Sequence, residues 1–170
     1  LAELLRQSPC HASVSCHSFM GRFIPPKTTS VADYRRYLQL CRTAKMAQPE
    51  TRYGTLASHR FDVFTGELED YLHHCHGTWA VCFESFPVRA SLQQHLRAPS
   101  LFWRFNPRAP SRWIDNDVPA ILAFFRAALD AGPPPTPTAD ATPGTSKFWA
   151  TPPPPTRACP SRGIVEGGPS

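Results

Sequence analysis

With 170 residues, a net charge of +5 and 41% hydrophobic residues, the chain is long enough for one domain with its own core. Its arginines stand singly rather than in runs, a weak footprint for nucleic acid, and no apolar run is long enough to span a membrane. Six cysteines show neither a CxxC pair nor disulfide-dense spacing, so they read as mostly free thiols, a pattern that leans to a reducing, cytoplasmic compartment.

In chain order, Ala2–Gln7 reads as the last turns of a helix closed by Ser8-Pro9. Ala12–Cys16 follows as a short strand running into His17-Ser18-Phe19, which makes an α/β unit whose upstream strand is absent. The start at Leu1, inside a helix end and without a signal-peptide pattern, leads to the expectation that sequence is missing upstream. Arg22–Pro26 reads as loop because of Pro25-Pro26. Ser30 is placed to cap a helix from Val31 to about Ala47, packed through Tyr34, Tyr37, Leu38 and Cys41. A polar connection from Pro49 to Ser58 contains the turn signal Tyr53-Gly54.

Thr65 is expected to cap a helix from Glu67 to about His74, packed through Leu68, Tyr71 and Leu72, with Gly77 just past its end. Thr78–Phe83 then reads as a strand apolar on both faces, ending in Glu84. Ser91–Leu96 is a candidate short helix, and Leu101–Phe105 (LFWRF) an aromatic core segment. The final helix is expected from Asp117 to Asp130, capped by Asn116 or Asp115, with Pro119 in its first turn and a stripe of Val118, Ile121, Leu122, Phe125 and Leu129. Residues 1–131 thus form the folded unit. Residues 132–170, rich in proline and glycine, have a composition that cannot bury a core and are expected to be disordered.

Glu84 is the first site candidate, because a carboxylate at the end of a buried strand is costly without a partner and strand ends open into crevices. His73-His74-Cys75-His76 is the densest cluster of metal-binding types, but adjacent helical residues point apart and no second ligand pair accompanies it. His11, His59 and His95 read as surface residues. His17 stands just after a strand, where its ring and the Glu84 carboxylate would share one crevice. An imidazole ligand and a carboxylate base are parts of zinc-assisted hydrolysis, while a core histidine is the plainer reading.

SVSCHSF, residues 13–19, resembles the segment of the M14 zinc carboxypeptidases that carries their third zinc ligand. The order of the Val31 helix, the Arg60–Gly66 loop, the Glu67 helix, the GTWAVCFE strand and the Asp117 helix is similar to that family's C-terminal half. The resemblance spans roughly Leu1 to Ala131. It implies an α/β fold, the C-terminal portion of a mixed-sheet zinc-carboxypeptidase-like domain (phosphorylase/hydrolase-like). It further implies Zn2+ as cofactor, His17 as a zinc ligand, Glu84 as general base, and a peptide with a free C-terminus as substrate. The chain departs from the family in having no His-x-x-Glu motif, and Phe61 and Phe64 stand in the neighbourhood of the family's mobile tyrosine. The resemblance therefore leads to the expectation of an N-terminally incomplete hydrolase that is inactive alone.

Two other classes stay open. One is a non-catalytic α/β module whose proline-rich tail docks SH3-like or WW-like domains, although few arginines flank its PPPTP and PPPPT runs. The other is a nucleic-acid binder stacking bases on Trp103, Arg104 and Phe105, a strip better read as core. Neither a nucleic-acid nor a membrane partner is expected.

Overall fold

The apolar run after Gly77 forms a strand that takes an interior place in a four-stranded mixed sheet. The structure is a computed structural model and describes residues 2–28, 30–56, 67–87, 96, 100–107 and 109–132. In chain order the elements are α1 (Ala2–Gln7), β1 (Ala12–Ser18), β2 (Arg22–Ile24), α2 (Val31–Met46), β3 (Gly54–Thr55), α3 (Leu68–His76), β4 (Trp79–Ser85), α4 (Leu101–Phe105) and α5 (Ser111–Ala131). The sheet order is β1-β4-β2-β3. β1 runs parallel to β4 from Ala12↔Trp79 to Ser18↔Ser85, and β2 pairs antiparallel with the carboxyl-terminal part of β4, from Arg22↔Glu84 to Ile24↔Cys82. The α/β class read from the sequence is the class observed.

Alternation along β4 builds two layers. Trp79, Val81 and Phe83 join the main core with Tyr37, Leu40, Cys41 and Ala44 of α2 and Ala120, Phe124 and Ala128 of α5. Ala80 packs on the opposite face with Leu5 of α1 and Leu72 of α3. Each large side chain so buried contributes about 1.5–3 kcal/mol. The upper part of β4, beyond the reach of β2, is satisfied by a side chain instead of a strand. The Ala80 amide donates to Tyr37 Oη at 3.2 Å, and Tyr37 Oη donates to the Thr78 carbonyl at 3.3 Å.

His73 Nδ1 lies 3.1 Å from the same Tyr37 hydroxyl, and its Nε2 stands 4.0 Å from Asp33. That approach does not make an ion pair, because burial outweighs it and holds the imidazole at about 4, well below its ordinary value. Burial likewise pushes the Asp33 carboxyl up.

Two helix ends follow local rules. Ser30 Oγ accepts from the Asp33 amide as the N-cap of α2, and Gly77 closes α3 in the left-handed conformation at φ 60°. Elsewhere tertiary contacts override the local signals. Arg22–Ile24 is strand rather than loop, since β4 offers it an edge and Pro25 only ends it. Gly54–Thr55 is strand β3 rather than a turn, held by Phe23 and Arg22 of β2. The N-cap position of α3 is Glu67, not Thr65, and makes no side-chain cap bond. Leu68 and Leu38, expected to pack inward, are 39% and 37% exposed.

The final helix begins at Ser111, after Pro110, so Asp115 and Asn116 lie inside it and Pro119 is an interior proline. Asn116 does not cap. Its Oδ1 accepts the amides of Glu50 and Thr51, and its Nδ2 donates to the Thr51 carbonyl, anchoring the connection before β3. The inward face is Trp113, Asn116, Asp117, Ala120, Phe124 and Ala128, while Val118, Leu122 and Leu129 of the expected stripe are exposed. Small residues face inward because α2 packs closely there through Cys41 and Ala44.

LFWRF is a short helix with Leu101 and Phe102 exposed rather than a core segment. Cys10, Cys16, Cys41 and Cys82 are free thiols, whereas Cys75 is disulfide-bonded. No helix among the described residues is long and apolar enough to cross a membrane. The Arg60–Gly66 loop with Phe61 and Phe64, His59, Thr65, Ser91–His95 and the proline-rich segment after Gly132 lie outside the described residues.

Two outcomes are expected. Phe124→Ala should cost about 3–5 kcal/mol in urea unfolding, and Leu38→Ala less than about 1 kcal/mol, the reverse of the sequence expectation, which packed Leu38 inward and left Phe124 out of the apolar stripe. As pH falls from 6.5 towards about 4, the unfolded chain takes up a proton at His73 before the folded chain does. Stability is therefore full above that window and falls across it by on the order of 2–3 kcal/mol. The raised Asp33 carboxyl works in the opposite direction, because the folded chain takes up that proton before the unfolded chain does. Unfolding midpoints of wild type and His73→Gln against pH check this, with the dependence shrinking in the variant.

Candidate functional site

β1 and β4 end together because they are parallel and in full register, and their last turns set the site. His17 of β1 pairs with Glu84 of β4, and Arg22 of β2 pairs with Glu84 from the other side. Paired residues on neighbouring strands share a face, so these three form one row across the sheet. The row lies on the face covered by α1 and α3, near the carboxyl ends of the parallel strands. His17 lies within β1, one residue before its end, rather than after the strand.

Each member of the row is held differently. His17 is exposed, with Nε2 2.7 Å from Ser15 Oγ two residues back on the same face. That bond orients the ring and leaves Nδ1 for another partner. Glu84 is half-buried, and its Oε2 accepts the Met20 amide at 3.4 Å from the turn between β1 and β2. The Arg22 guanidinium lies over β3, where a Cβ on Gly54 would sit 2.5 Å from Arg22 Nη1. Gly54 therefore leaves room for the arginine to lie flat.

α3 runs antiparallel to β4 and brings its amino end over the row. The carboxyl of Glu67, the N-cap residue, is pushed up by burial and by the Glu69, Asp70 and Glu84 carboxylates, and His17 partly offsets this. Burial and the Glu69, Glu84 and Glu67 carboxylates also push the Cys82 thiol up. Glu69 is itself buried, with Oε1 free of any hydrogen-bond partner.

The turns leaving the two strands are fixed on the other face. Gly21, at φ 59°, allows the chain after β1 to pass against Pro87, whose Cβ would stand 2.6 Å from an added Cβ. Phe86 follows β4 at φ 56°, a conformation that costs a non-glycine residue about 1–2 kcal/mol. Its ring is buried against Trp113 at 5.2 Å, and its amide donates to Tyr53 Oη at 3.2 Å. Ser85 Oγ donates to Asp117 Oδ2 at 2.5 Å, and Asp117 Oδ1 accepts from Gln48 and Asn116. α4 closes the end of β1, with Phe105 against Phe19 at 4.2 Å and Ser18 Oγ donating to Asn106 at 3.2 Å.

The other candidates diverge. His73 faces Tyr37, His74 Nε2 donates to the Lys27 carbonyl at 2.7 Å, and His76 packs on Tyr71. His11 Nε2 donates to the Ala128 carbonyl at 2.9 Å. Ser15, Arg22 and Glu67 were not singled out from the sequence. Ser15 was legible from its i, i+2 spacing to His17, while Arg22 was hidden by reading β2 as loop.

Zinc held for catalysis takes three protein ligands and keeps one position open. The row offers one imidazole, and among the described residues no group of three His, Cys, Asp or Glu is placed to hold a metal ion. The described residues therefore do not by themselves fit catalytic zinc. What they do offer is a carboxylate and an oriented imidazole on paired residues of neighbouring strands. Compared with protein-family models, curated proteins and solved structures, the chain matches none.

The electrostatics of the row are measurable. In carbon-detected NMR titrations, Glu84→Gln should lower the Glu67 carboxyl pKa by removing a like charge, and His17→Ala should raise it by removing an opposite one.

Proposed function

We propose that the chain is the C-terminal part of the catalytic domain of a zinc-dependent metallocarboxypeptidase-type hydrolase, which removes C-terminal residues from peptides. The observation that carries this reading is the β1–β4 register, which sets His17 beside Glu84 near the carboxyl ends of two parallel strands. In open α/β sheets, that end is where ligands bind. Support also comes from the resemblance of residues 13–19 to the family's ligand segment and from the order of elements after it.

In this reading Glu84 is the proton carrier. Its carboxylate accepts a proton from the attacking water and returns it to the leaving amine. The Met20 amide holds the carboxylate in place, and Ser15 holds the His17 ring. Among the described residues the row offers one imidazole, His17, to a metal, so in this reading the remaining ligands are assigned to a segment outside Leu1–Ser170. A non-catalytic α/β module is the outcome if no such segment exists.

The test reads the coding sequence in frame 5′ of the Leu1 codon and assays the protein it encodes on peptides with a free C-terminus. The expected result is an upstream His-x-x-Glu motif and release of C-terminal residues. Glu84→Gln should lower kcat by about 10²–10⁴-fold with zinc retained, and His17→Ala should lose the zinc. An upstream stop codon with no such motif, or full activity in Glu84→Gln, would overturn the reading.

A further inference from the structure

The face of α5 that turns away from the sheet is apolar. Ile114, Val118, Leu122 and Leu129 are 55%, 44%, 48% and 63% exposed, with half-buried Phe125 among them. At about 100° per residue they make one stripe, roughly 120° around the helix from the face that Ala120, Phe124 and Ala128 bury. On one flank of the stripe stand Arg112, Asp115, Arg126 and Asp130, all exposed.

We infer that this face is a self-association surface, which binds a second copy of the chain through an antiparallel α5–α5 pair about a two-fold axis. Such an axis, perpendicular to the helices and passing beside Ile121 and Leu122, reverses the chain direction but keeps the charged flanks on one side. At about 1.5 Å rise per residue, Asp115 then comes level with Arg126 of the second copy to within about 3 Å along the axis. Arg112 comes level with Asp130 of the second copy in the same way. Ile114 meets Leu129, Val118 meets Phe125, and Leu122 meets its own equivalent.

Every charge on the flank finds its opposite, and every apolar position finds an apolar one, as an isologous interface requires. A parallel pair keeps the apolar stripe in contact but sets the charged flank of one helix against the uncharged flank of the other, so the charge match is lost. Arg112 already binds Glu50 of its own chain at 2.8 Å, so Asp115 and Arg126 are the pair that reports on the arrangement. The inference is independent of the row at His17 and Glu84, which lies on the other face of the sheet.

Sedimentation velocity of the full chain, up to about 0.2 mM, tests it, since one helix pair lies at the small end of the interface range. The expected result is a monomer–dimer equilibrium that Leu122→Asp abolishes with unchanged circular dichroism. Asp115→Arg should weaken the dimer at least about tenfold, because the symmetry repeats each lost ion pair as a repulsion. Adding Arg126→Asp to that variant should restore association to within about threefold of wild type. A monomer at every concentration, a dimer indifferent to Leu122→Asp, or a double variant no tighter than Asp115→Arg alone would each overturn the inference.

Discussion

The arrangement of β4 is the constraint on which the molecule depends. It is the strand that pairs parallel with β1 and antiparallel with β2, and both of its faces are buried. A one-residue slip against β1 would exchange the faces of every side chain on one strand relative to the other. Trp79, Val81 and Phe83 would then leave the main core, and the His17–Glu84 pairing would break in the same step. The core and the candidate site are thus fixed by a single choice of register, enforced by large side chains on one face and by Ala80 on the other.

A second consequence of β4 is the division of labour between its two ends. At its amino end, missing strand partners are replaced by the Tyr37 hydroxyl, and α3 packs closely through Leu72 and His73. At its carboxyl end the chain departs through the strained Phe86, held by Tyr53 and Trp113 and flanked by the Ser85–Asp117 bond. Strain of this kind persists only where the surroundings over-determine it, and such places collect near functional residues. Glu84 sits two residues before Phe86, so the carboxylate is aimed by a backbone that has little freedom to move.

Much of this was readable in the sequence, and the exceptions share a cause. β1, β4, α1 and α2 follow from composition, periodicity and the Ser30 cap, all of which are local. The residues His17 and Glu84 stand out because strand ends carrying such groups are unusual. What could not be read is whatever depends on partners far along the chain. Asn116 reads as a cap and Asp117 as the first residue of the helix, yet they serve the connection at Gln48–Thr51 and Ser85. Ala120 and Ala128 look too small for a core, yet their smallness is what admits α2. β2 is three residues long and ends in two prolines, so only the waiting edge of β4 makes it a strand.

The last turn of α5 carries a further implication, for the timing of assembly. Its terminal carbonyls are not left to water: Ala128 receives His11, 117 residues earlier, and Gly132 receives the Trp79 indole. The helix thereby latches the amino ends of both parallel strands. Closing so long a loop is paid for in chain entropy before its contacts give anything back. α2 can form as soon as its residues exist, whereas β1 is made before β4, cannot pair with it until β4 exists, and has no latch until α5 is complete. The edge of β1 that β4 covers therefore stays open from the synthesis of β1 to that of β4, and in that interval it is open to pairing with the wrong strand.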